Sequence, residues 1–466
     1  MSLALSVYHR LPPFSRSLVA SARGYYLGWW RYDKRTEKLV EDALERDTWT
    51  AENWKAWRDE RLAFILDRAA TKVPFYQDQW AGRRRNGDKA SWEHLENWPV
   101  LDKQILRENA AAFVASDRPI RKMFHDHTSG TTGTSLDLWQ TSETVKQWYA
   151  IFEARSRRWY GLTRRDRWAI LGGQLVVPAA RQKPPFWVWN AGLRQLYMSS
   201  YHLSPQLINH YLDAIAKYRV TYILGYPSAL YSLAYEALRQ NRTDIRLRVA
   251  IANAEPVYEH QREAISAAFN CPVRETYGMA EIAAAASECE LGNLHQWPDT
   301  GIIEVEPDQP DGTGEFICTG LINADMPLIR YRVGDRGKMS ADICGCGRTL
   351  PLIGSIDGRT DDVLYTRDGR RVGRLDPIFK DNLPIVEAQI IQESLDLITV
   401  KYVPAAGFTP IHADVLRKRL VERLGQIEVA FERVDGIPRT NRGKFRAVIC
   451  NLPPQQRGAE NRISLL

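Results

Sequence analysis

The sequence contains no uninterrupted run of about 18 apolar residues, so it predicts no membrane-spanning helix. The N-terminus also lacks the continuous apolar stretch of a signal peptide, because His9, Arg10, Arg16 and Arg23 interrupt it. The segment 15–32 is nevertheless basic and aromatic. It predicts a helix packed on the main domain, which we favour, or a helix in peripheral contact with an anionic membrane surface.

Cysteine is scarce, with six residues in 466. A long chain without a signal peptide does not rely on a disulfide framework, so the sequence predicts a cytoplasmic, reduced protein. Nucleic-acid-binding motifs are also lacking. The net charge of +7 is spread along the chain, and its densest run, Arg83 to Arg85, predicts an exposed loop. We therefore expect no nucleic-acid partner.

The length exceeds that of a single hydrophobic core and predicts two or three domains. Residues 1–120 have a helical, polar pattern. Beyond them, apolar runs alternate with helical patterns, which is typical of a largely parallel α/β sheet. Strands are predicted at 168–173, 221–227, 248–256 and 273–278, and helices at 141–152 (capped by Ser142), from 228, and at 259–269. Ligands of such sheets bind at the carboxyl ends of the strands, which singles out loops 225–228, 253–256 and 276–281.

After residue 300 the strands follow one another without intervening helices, which predicts an antiparallel subdomain. The segment GRTDDVL at 358–364 and the turn signal RDGR at 367–370 predict a hairpin. With strands at 398–403 and 427–434 and a helix at 411–424, they predict a small α+β domain. The predicted fold class is therefore α/β. A large N-terminal domain spans 1–357, with its helical region at 1–120, and a smaller domain spans 358–466.

The most unusual segment is HTSGTTGTSLDL at 127–138. Glycines, backbone amides and Ser/Thr hydroxyls in one loop form an anion-binding concavity. The segment is not the P-loop of nucleoside triphosphatases, because Gly133 is followed by Thr134 and not by lysine. An ordinary Ser/Thr/Gly surface turn remains an alternative for the loop alone.

Five motifs in order carry a family resemblance: TSGTTG, YGMAE, YRVGD, GRTDD and a Gly-Lys near the C-terminus. Together they resemble the adenylate-forming superfamily, in particular its phenylacetate–CoA ligase branch and the CapK-like members associated with surface-polysaccharide genes. The resemblance implies an AMP-forming ligase with a mobile C-terminal domain. Such an enzyme uses ATP and Mg²⁺ to activate a carboxylic acid as an acyl-adenylate, and then transfers the acyl group, commonly to CoA.

The resemblance also implies roles for individual residues. The phosphate loop comprises Ser129, Gly130, Thr131, Thr132 and Gly133, although the lysine that many relatives carry shortly afterwards is missing from 134–140. The adenine side comprises Ala254, Glu255, Pro256, Tyr277 and Gly278. Glu281 is implied as the Mg²⁺ ligand and Asp335 as the acceptor of both ribose hydroxyls, since a carboxylate suits a hard cation and a vicinal diol.

Three further roles follow from the resemblance. Arg359 lies near the ribose and phosphates, and Asp361 is the hinge about which the small domain rotates. Lys444 reaches the α-phosphate and the substrate carboxylate, as a compact ammonium can. Candidates for the acid pocket are aromatic or imidazole side chains, which alternatively belong to the core. They are His127, Tyr226, Trp187, Trp189 and Tyr201.

The acyl acceptor stays open. CoA is the default of the family, while a carrier protein, an amine, a sugar hydroxyl, or transfer of AMP to a cofactor are alternatives. A different class of function is a non-catalytic basic protein that binds nucleotide or a membrane surface. The oligomeric state also stays open, and a homodimer is compatible with the sequence.

A separate cluster predicts a structural zinc site. Cys344 and Cys346 lie two residues apart, and Cys289 and His295 lie close together earlier in the chain. Three thiolates and an imidazole suffice for tetrahedral Zn²⁺, and some CapK-like relatives carry a similar cluster. The alternative is a set of inert buried cysteines beside a hydrogen-bonded histidine.

Overall fold

The computed structural model describes residues 3–127, 136–174, 176–178, 181–203, 206–254, 257, 259–307, 312–356, 364–368, 371–372, 375, 378, 383–404, 407–437, 448–453 and 456. Its first part is helical, which confirms the prediction for 1–120. The helices are α1 (Leu3–Arg10), α2 (Pro13–Arg31), α3 (Thr36–Arg46), α4 (Ala51–Lys72), α5 (Pro74–Arg85) and α6 (Lys103–Asn109), with short 3₁₀ turns at Leu95–Asn97, Ala110–Phe113 and Ile120–Lys122.

The loop prediction for Arg83 to Arg85 is wrong, because these residues form the last turn of α5. Cations at a helix C-terminus interact favourably with the helix dipole. Arg83 also lies over the Trp80 ring, 4.3 Å from its centroid, and donates a hydrogen bond to Asp88. Local side-chain contacts thus support the helix in a basic, glycine-flanked segment.

Strands and helices alternate through the middle of the chain. The elements are β1 (Phe124–His127), β2 (Asp137–Gln140), α7 (Ser142–Ser156), β3 (Trp168–Gly172), β4 (Trp187–Asn190), β5 (Gln195–Ser199), α8 (Ile208–Lys217), β6 (Tyr222–Gly225), α9 (Pro227–Arg239), β7 (Val249–Asn253), α10 (Glu259–Phe269) and β8 (Val273–Gly278), with 3₁₀ turns at Arg158–Tyr160 and Ser200–His202. Thr141 caps α7, and not Ser142 as predicted, by accepting a hydrogen bond from the Thr144 amide.

Five of these strands pair in parallel in the order β5-β3-β6-β7-β8, which confirms the predicted parallel sheet. All four residues of β6 are buried, as expected of a central strand covered on both faces. Strand β4 adds antiparallel to β5 and forms one edge of the sheet. Apolar residues of α8, α9 and α10 fill the core against this region.

The antiparallel strands continue the same sheet. They are β9 (Ala285–Glu288), β10 (Leu294–Gln296), β11 (Gly301–Pro307), β12 (Gly314–Gly320), β13 (Tyr331–Ser340) and β14 (Leu352–Ile356). The order β11-β12-β13-β14-β10-β9-β8 joins them to the parallel strands, giving a twelve-stranded sheet within the described residues. A second core unites side chains of α4, α5, β12 and β13.

The C-terminal part has its own sheet and core. Its elements are β15 (Leu364–Tyr365), β16 (Arg371–Val372), β17 (Ile385–Gln392), β18 (Leu397–Pro404), α11 (Pro410–Leu424), β19 (Glu428–Arg433) and β20 (Val448–Cys450). Strands β15 and β16 pair antiparallel on either side of the predicted turn at 367–370, while 358–363 of the predicted hairpin lie outside the described residues. The main sheet has the order β19-β18-β17-β20. The predicted boundary between 357 and 358 lies outside the described residues and stays a prediction.

Candidate active site and cysteine–histidine cluster

Three neighbouring parallel strands end at one edge of the sheet. β6 ends at Gly225, β7 at Asn253 and β8 at Gly278, so the loops singled out from the sequence follow strands that lie side by side. Two non-glycine residues there have left-handed backbone, Ala254 with φ 68° and Ile282 with φ 53°. This conformation is rare for a β-branched residue, and such strain concentrates at functional sites.

Tyr277 and Asp335 meet across this edge. The Tyr277 hydroxyl donates a hydrogen bond of 2.9 Å to Asp335 Oδ2, and its ring stands edge-on to Phe316. Their strands, β8 and β13, are four steps apart in the sheet, a separation of about 19 Å if the sheet were flat. The hydrogen bond therefore shows that the antiparallel part of the sheet curls back towards β8.

Glu281 is a buried carboxylate just beyond β8. Its Oε1 accepts hydrogen bonds of 3.0 Å from Lys103 Nζ and 3.0 Å from the Tyr331 hydroxyl. Burial alone would raise the pKa of Glu281. The Lys103 ammonium, together with hydrogen bonds from a backbone amide and the Tyr331 hydroxyl, outweighs burial and holds that pKa below its usual value. The side chain is therefore ionised at neutral pH and offers a hard oxygen donor.

Lys103 is the site residue that motif analysis misses. It begins α6, where an ammonium faces the positive end of the helix dipole and needs a compensating anion. Leu101 pairs with Tyr331, exchanging backbone hydrogen bonds with Arg330 and Arg332, and so fixes α6 beside β13. The sequence shows only that a lysine stands at the N-terminus of a predicted helix, where a cation is unfavourable. For so short a helix this is a weak indication of a functional residue.

Half of the predicted site falls outside the described residues. These positions are Ser129, Gly130, Thr131, Thr132, Gly133, Glu255, Pro256, Arg359, Asp361 and Lys444. The flanks of the glycine-rich segment are described: β1 ends at His127, which pairs with Asp137 on the antiparallel strand β2. The segment therefore connects two paired strands.

Two predicted pocket residues converge beside the end of β3. The Tyr201 hydroxyl donates a hydrogen bond of 2.6 Å to the Gly173 carbonyl. A Cβ added to Gly173 would lie 3.0 Å from the Tyr226 hydroxyl and 3.4 Å from that of Tyr201. Burial, with the nearby Tyr226 and Tyr201, raises the pKa of Tyr197, so that hydroxyl stays protonated. The hydroxyls of Tyr226 and Tyr201 thus lie next to Gly173, whose missing side chain leaves them room.

The two predicted tryptophans lie away from the sheet edge at which β6, β7 and β8 end. Trp187 and Trp189 lie on edge strand β4, five steps from β8 in the sheet, and Trp189 stacks on Tyr218. Tyr201 has a second environment as well. It packs into the core of the C-terminal part, with the Arg423 guanidinium of α11 5.3 Å from its ring centroid.

The four predicted zinc residues come together. The candidate ligand atoms of Cys289, His295, Cys344 and Cys346 all lie within 4.8 Å of one another. Cys289 Sγ is 3.6 Å from Cys344 Sγ, too far for a disulfide, and Cys346 Sγ is 3.4 Å from His295 Nε2. His295 Nδ1 lies 3.1 Å from the Leu350 carbonyl, the outer hydrogen bond that leaves Nε2 free to bind a metal.

Comparisons with known proteins agree with these features. The family model described as "AMP-binding enzyme" matches residues 54–307, more than half of the chain, and the "CapK C-terminal domain" model matches residues 364–451. Protein CapK of Staphylococcus aureus is 25% identical over 463 residues, covering 96% of this chain and 99% of that protein. Phenylacetate-coenzyme A ligase of Pseudomonas putida is 27% identical over 325 residues, covering 66% and 71% respectively.

Solved structures show the same fold. The structure of 2-hydroxyisobutyryl-CoA ligase in complex with 2-HIB-AMP and CoA has a TM-score of 0.54 at 20% identity, covering 87% of this chain and 91% of that one. The same ligase in its postadenylation state has a TM-score of 0.52 at 21% identity. The family resemblance and the fold class predicted from the motifs are thereby confirmed.

Proposed function

The chain belongs to the AMP-binding enzyme family, on the branch of CapK and the phenylacetate–CoA ligases, and from this premise we propose that it activates a carboxylic acid with ATP. A carboxylate oxygen attacks the α-phosphorus, and the bond from this phosphorus to pyrophosphate breaks. In the second step the CoA thiolate attacks the acyl carbon and AMP leaves. Both steps depend on holding reactants in line and on neutralising phosphate charge.

The observation that carries this proposal is the convergence of Tyr277, Asp335 and Glu281. Tyr277 and Asp335 are 58 residues apart in the chain but share a hydrogen bond at the edge where strained loops leave the parallel strands. We assign Asp335 to accept the two ribose hydroxyls, because a carboxylate offers two oxygens to a diol. The Tyr277 ring would stack on adenine while its hydroxyl orients Asp335.

Glu281 fits the role of Mg²⁺ ligand, since it is buried and ionised. A bound Mg²⁺ would neutralise charge on the phosphates. Lys103 Nζ lies 3.0 Å from Glu281 Oε1 and keeps the buried charge paired. Lys103 and Tyr331 therefore hold Glu281 in position, and the ammonium is the group that a divalent cation would compete with.

The remaining roles rest on family membership. We propose that residues 129–133 hold the β- and γ-phosphates, that Arg359 contacts ribose and phosphate, and that Lys444 stabilises the attacking carboxylate. Rotation of the C-terminal part about Asp361 would bring one set of its residues to the active site for adenylation and another set for acyl transfer. Tyr226 and Tyr201, with His127 at the end of β1, are the candidates for the acid pocket. The acid, the acceptor and a role in surface-polysaccharide synthesis stay predictions.

The proposal is tested by measuring pyrophosphate release with ATP and Mg²⁺ across a panel of carboxylic acids, with and without CoA. Release that depends on one acid supports adenylation, and conversion of that acid to its thioester identifies CoA as the acceptor. Pyrophosphate release that is equal with and without every acid would contradict the proposal.

Replacing Asp335 by asparagine is expected to lower kcat/KM for ATP roughly 10- to 100-fold, because hydrogen bonds to charged groups contribute about 1.5–3 kcal/mol. The effect is measured from initial rates at varied ATP. Tyr277→Phe, which keeps the ring but frees Asp335 of one donor, should have a smaller effect. Asp213→Asn on an exposed surface is the matched control. An unchanged kcat/KM for ATP in Asp335→Asn would remove Asp335 from the nucleotide site.

We also propose that Cys289, His295, Cys344 and Cys346 bind one structural Zn²⁺. Tetrahedral sulfur ligands at about 2.3 Å from zinc lie roughly 3.8 Å apart, close to the observed Cys289–Cys344 separation of 3.6 Å. Asn293 donates a hydrogen bond to Cys344 Sγ, and hydrogen bonds to that sulfur, including this one, hold the Cys344 pKa below its usual value despite burial. The metal would join the β9–β10 hairpin to the connection between β13 and β14.

Chelation at neutral pH is expected to lower the melting temperature by roughly 10 °C, since metal-binding energy is folding energy. Elemental analysis should find one zinc per chain, and Cys346→Ser should lose it. Cys450→Ser alters another partly exposed thiol and should keep the metal. Metal-free purified protein with an unchanged melting temperature in chelator would refute the site.

A further inference from the structure

Exposed apolar side chains are concentrated at the N-terminus. Seven of the fourteen large apolar side chains that are exposed in the described part of the chain lie within residues 7–29. They are Val7, Phe14, Leu18, Val19, Tyr25, Tyr26 and Trp29. Phe14 and Trp29 are each 74% exposed. Single exposed apolar residues are ordinary, but a contiguous group marks an interaction surface.

The orientation of α2 is fixed by its small and polar residues. Ser17 accepts a hydrogen bond from the Trp189 amide, and Ser21 accepts one of 3.0 Å from the Ala191 amide. Gly24 lies so close to β4 that an added Cβ would stand 1.8 Å from Asn190 Oδ1. Because the helix contacts the sheet edge through its backbone and hydroxyls, it cannot turn its aromatic side inward.

The exposed half of α2 is apolar and aromatic. At about 100° per residue, Phe14, Tyr25, Leu18 and Trp29 fall within roughly 60° of one another around the helix. Tyr26 and Val19 extend this surface, which we call the aromatic face. A surface helix of a globular protein normally buries such residues and exposes its polar ones. Here the polarity is reversed, so the aromatic face requires an apolar environment outside the described chain.

The charge around the aromatic face points to anionic lipid. The first 32 residues contain four arginines and no acidic residue. Arg10 and Arg23 are exposed, and Arg31 lies over the Tyr149 ring. Tyrosine and tryptophan are the side chains that prefer the boundary between headgroups and acyl chains. None of the described helices has the length and hydropathy to cross a bilayer.

We propose that α2 lies in the plane of an anionic lipid bilayer, with the aromatic face at the headgroup boundary and Arg10 and Arg23 against lipid phosphates. Basic amphipathic helices with Trp, Phe and Leu on one side bind bilayers in this way. A second copy of the chain fits less well. A twofold contact would place the same basic segment against itself, with no acidic residue of that segment to pair it.

The test is flotation of the full-length protein with lipid vesicles. Phosphatidylcholine vesicles are compared with vesicles containing phosphatidylglycerol as well. Wild-type protein should float with the anionic vesicles, and high salt should release part of it. The triple variant Phe14→Ser/Leu18→Ser/Trp29→Ser should bind at least tenfold more weakly. Ile411→Ser, 71% exposed on α11, is the matched control and should bind like wild type.

Arg10→Gln/Arg23→Gln should weaken binding to anionic vesicles roughly fivefold per arginine and leave binding to phosphatidylcholine unchanged. All variants should keep the wild-type melting temperature and pyrophosphate release, which separates this proposal from the proposed function. Equal flotation of the triple variant and wild type would overturn the proposal. Absence of binding to either kind of vesicle would also overturn it. In that case a dimer detected by light scattering, or an acidic protein partner, would account for the aromatic face instead.

Discussion

Replacing Glu281 by glutamine is expected to lower acid-dependent pyrophosphate release by about 10²- to 10³-fold, the scale of losing one group that stabilises developing charge. Glutamine keeps the shape of the side chain but removes the negative charge that suits Mg²⁺. The low pKa of Glu281 means that this charge is present throughout the neutral range. Initial rates at saturating ATP and acid measure the effect on the chemical step.

A stability effect must be separated from this loss. Glu281→Gln leaves the Lys103 ammonium beside a neutral partner in a site where the carboxylate is buried, and unpaired buried charges destabilise proteins. The double variant Lys103→Met/Glu281→Gln removes both charges. It should recover the wild-type melting temperature without recovering the rate. Recovery of the rate as well would make Glu281 only a structural partner of Lys103.

Replacing Arg155 by methionine is expected to lower the free energy of unfolding by about 3–5 kcal/mol. The Arg155 side chain is fully buried and forms salt bridges of 2.8 Å to Asp47 and 2.5 Å to Asp299. These two carboxylates raise the pKa of Arg155 despite its burial. Methionine fills similar space but leaves the two buried carboxylates with one cation fewer. The salt bridge between Arg155 on α7 and Asp47 at the end of α3 is lost.

The matched control for this prediction is Arg242→Met. Arg242 also bridges two aspartates, Asp213 and Asp244, but these carboxylates are half or more exposed. Surface ion pairs contribute about 0–1 kcal/mol, so this variant should unfold almost like wild type. Thermal unfolding of both variants measures the difference. Equal melting temperatures of the two variants would contradict the prediction. They would mean that water or rearranged neighbours replace the lost cation beside the buried carboxylates.

The fold was predictable where apolar periodicity and turn residues agree. Strand β8 and helix α10 begin and end where the sequence predicted them. Strand β9 was missed because its alanine-rich segment resembles a helix by intrinsic propensity. Small residues are needed there, since a Cβ on Gly301 would lie 1.9 Å from the Ala283 carbonyl oxygen. Close packing of one backbone segment against another decides the structure of this region, and a local sequence pattern cannot predict such packing.

The candidate site was predictable where a motif fixes several residues together. Tyr277 and Asp335 were named from separate motifs, and the curled sheet joins them. Lys103 belongs to no such motif, and its contact with Glu281 depends on the pairing of Leu101 with Tyr331. Trp187 and Trp189 were suggested by composition alone. They lie on the edge strand β4, and their place in an acid pocket stays a prediction.

The most direct test of the central claim follows the oxygen atoms of the acid. The reaction is run in ordinary water with the active acid labelled with oxygen-18 in its carboxylate, and the AMP product is analysed by mass spectrometry. If the acid attacks the α-phosphorus, cleavage of the acyl–oxygen bond in the second step leaves one labelled oxygen on AMP. Unlabelled AMP, or label in inorganic phosphate, would contradict adenylation of the acid.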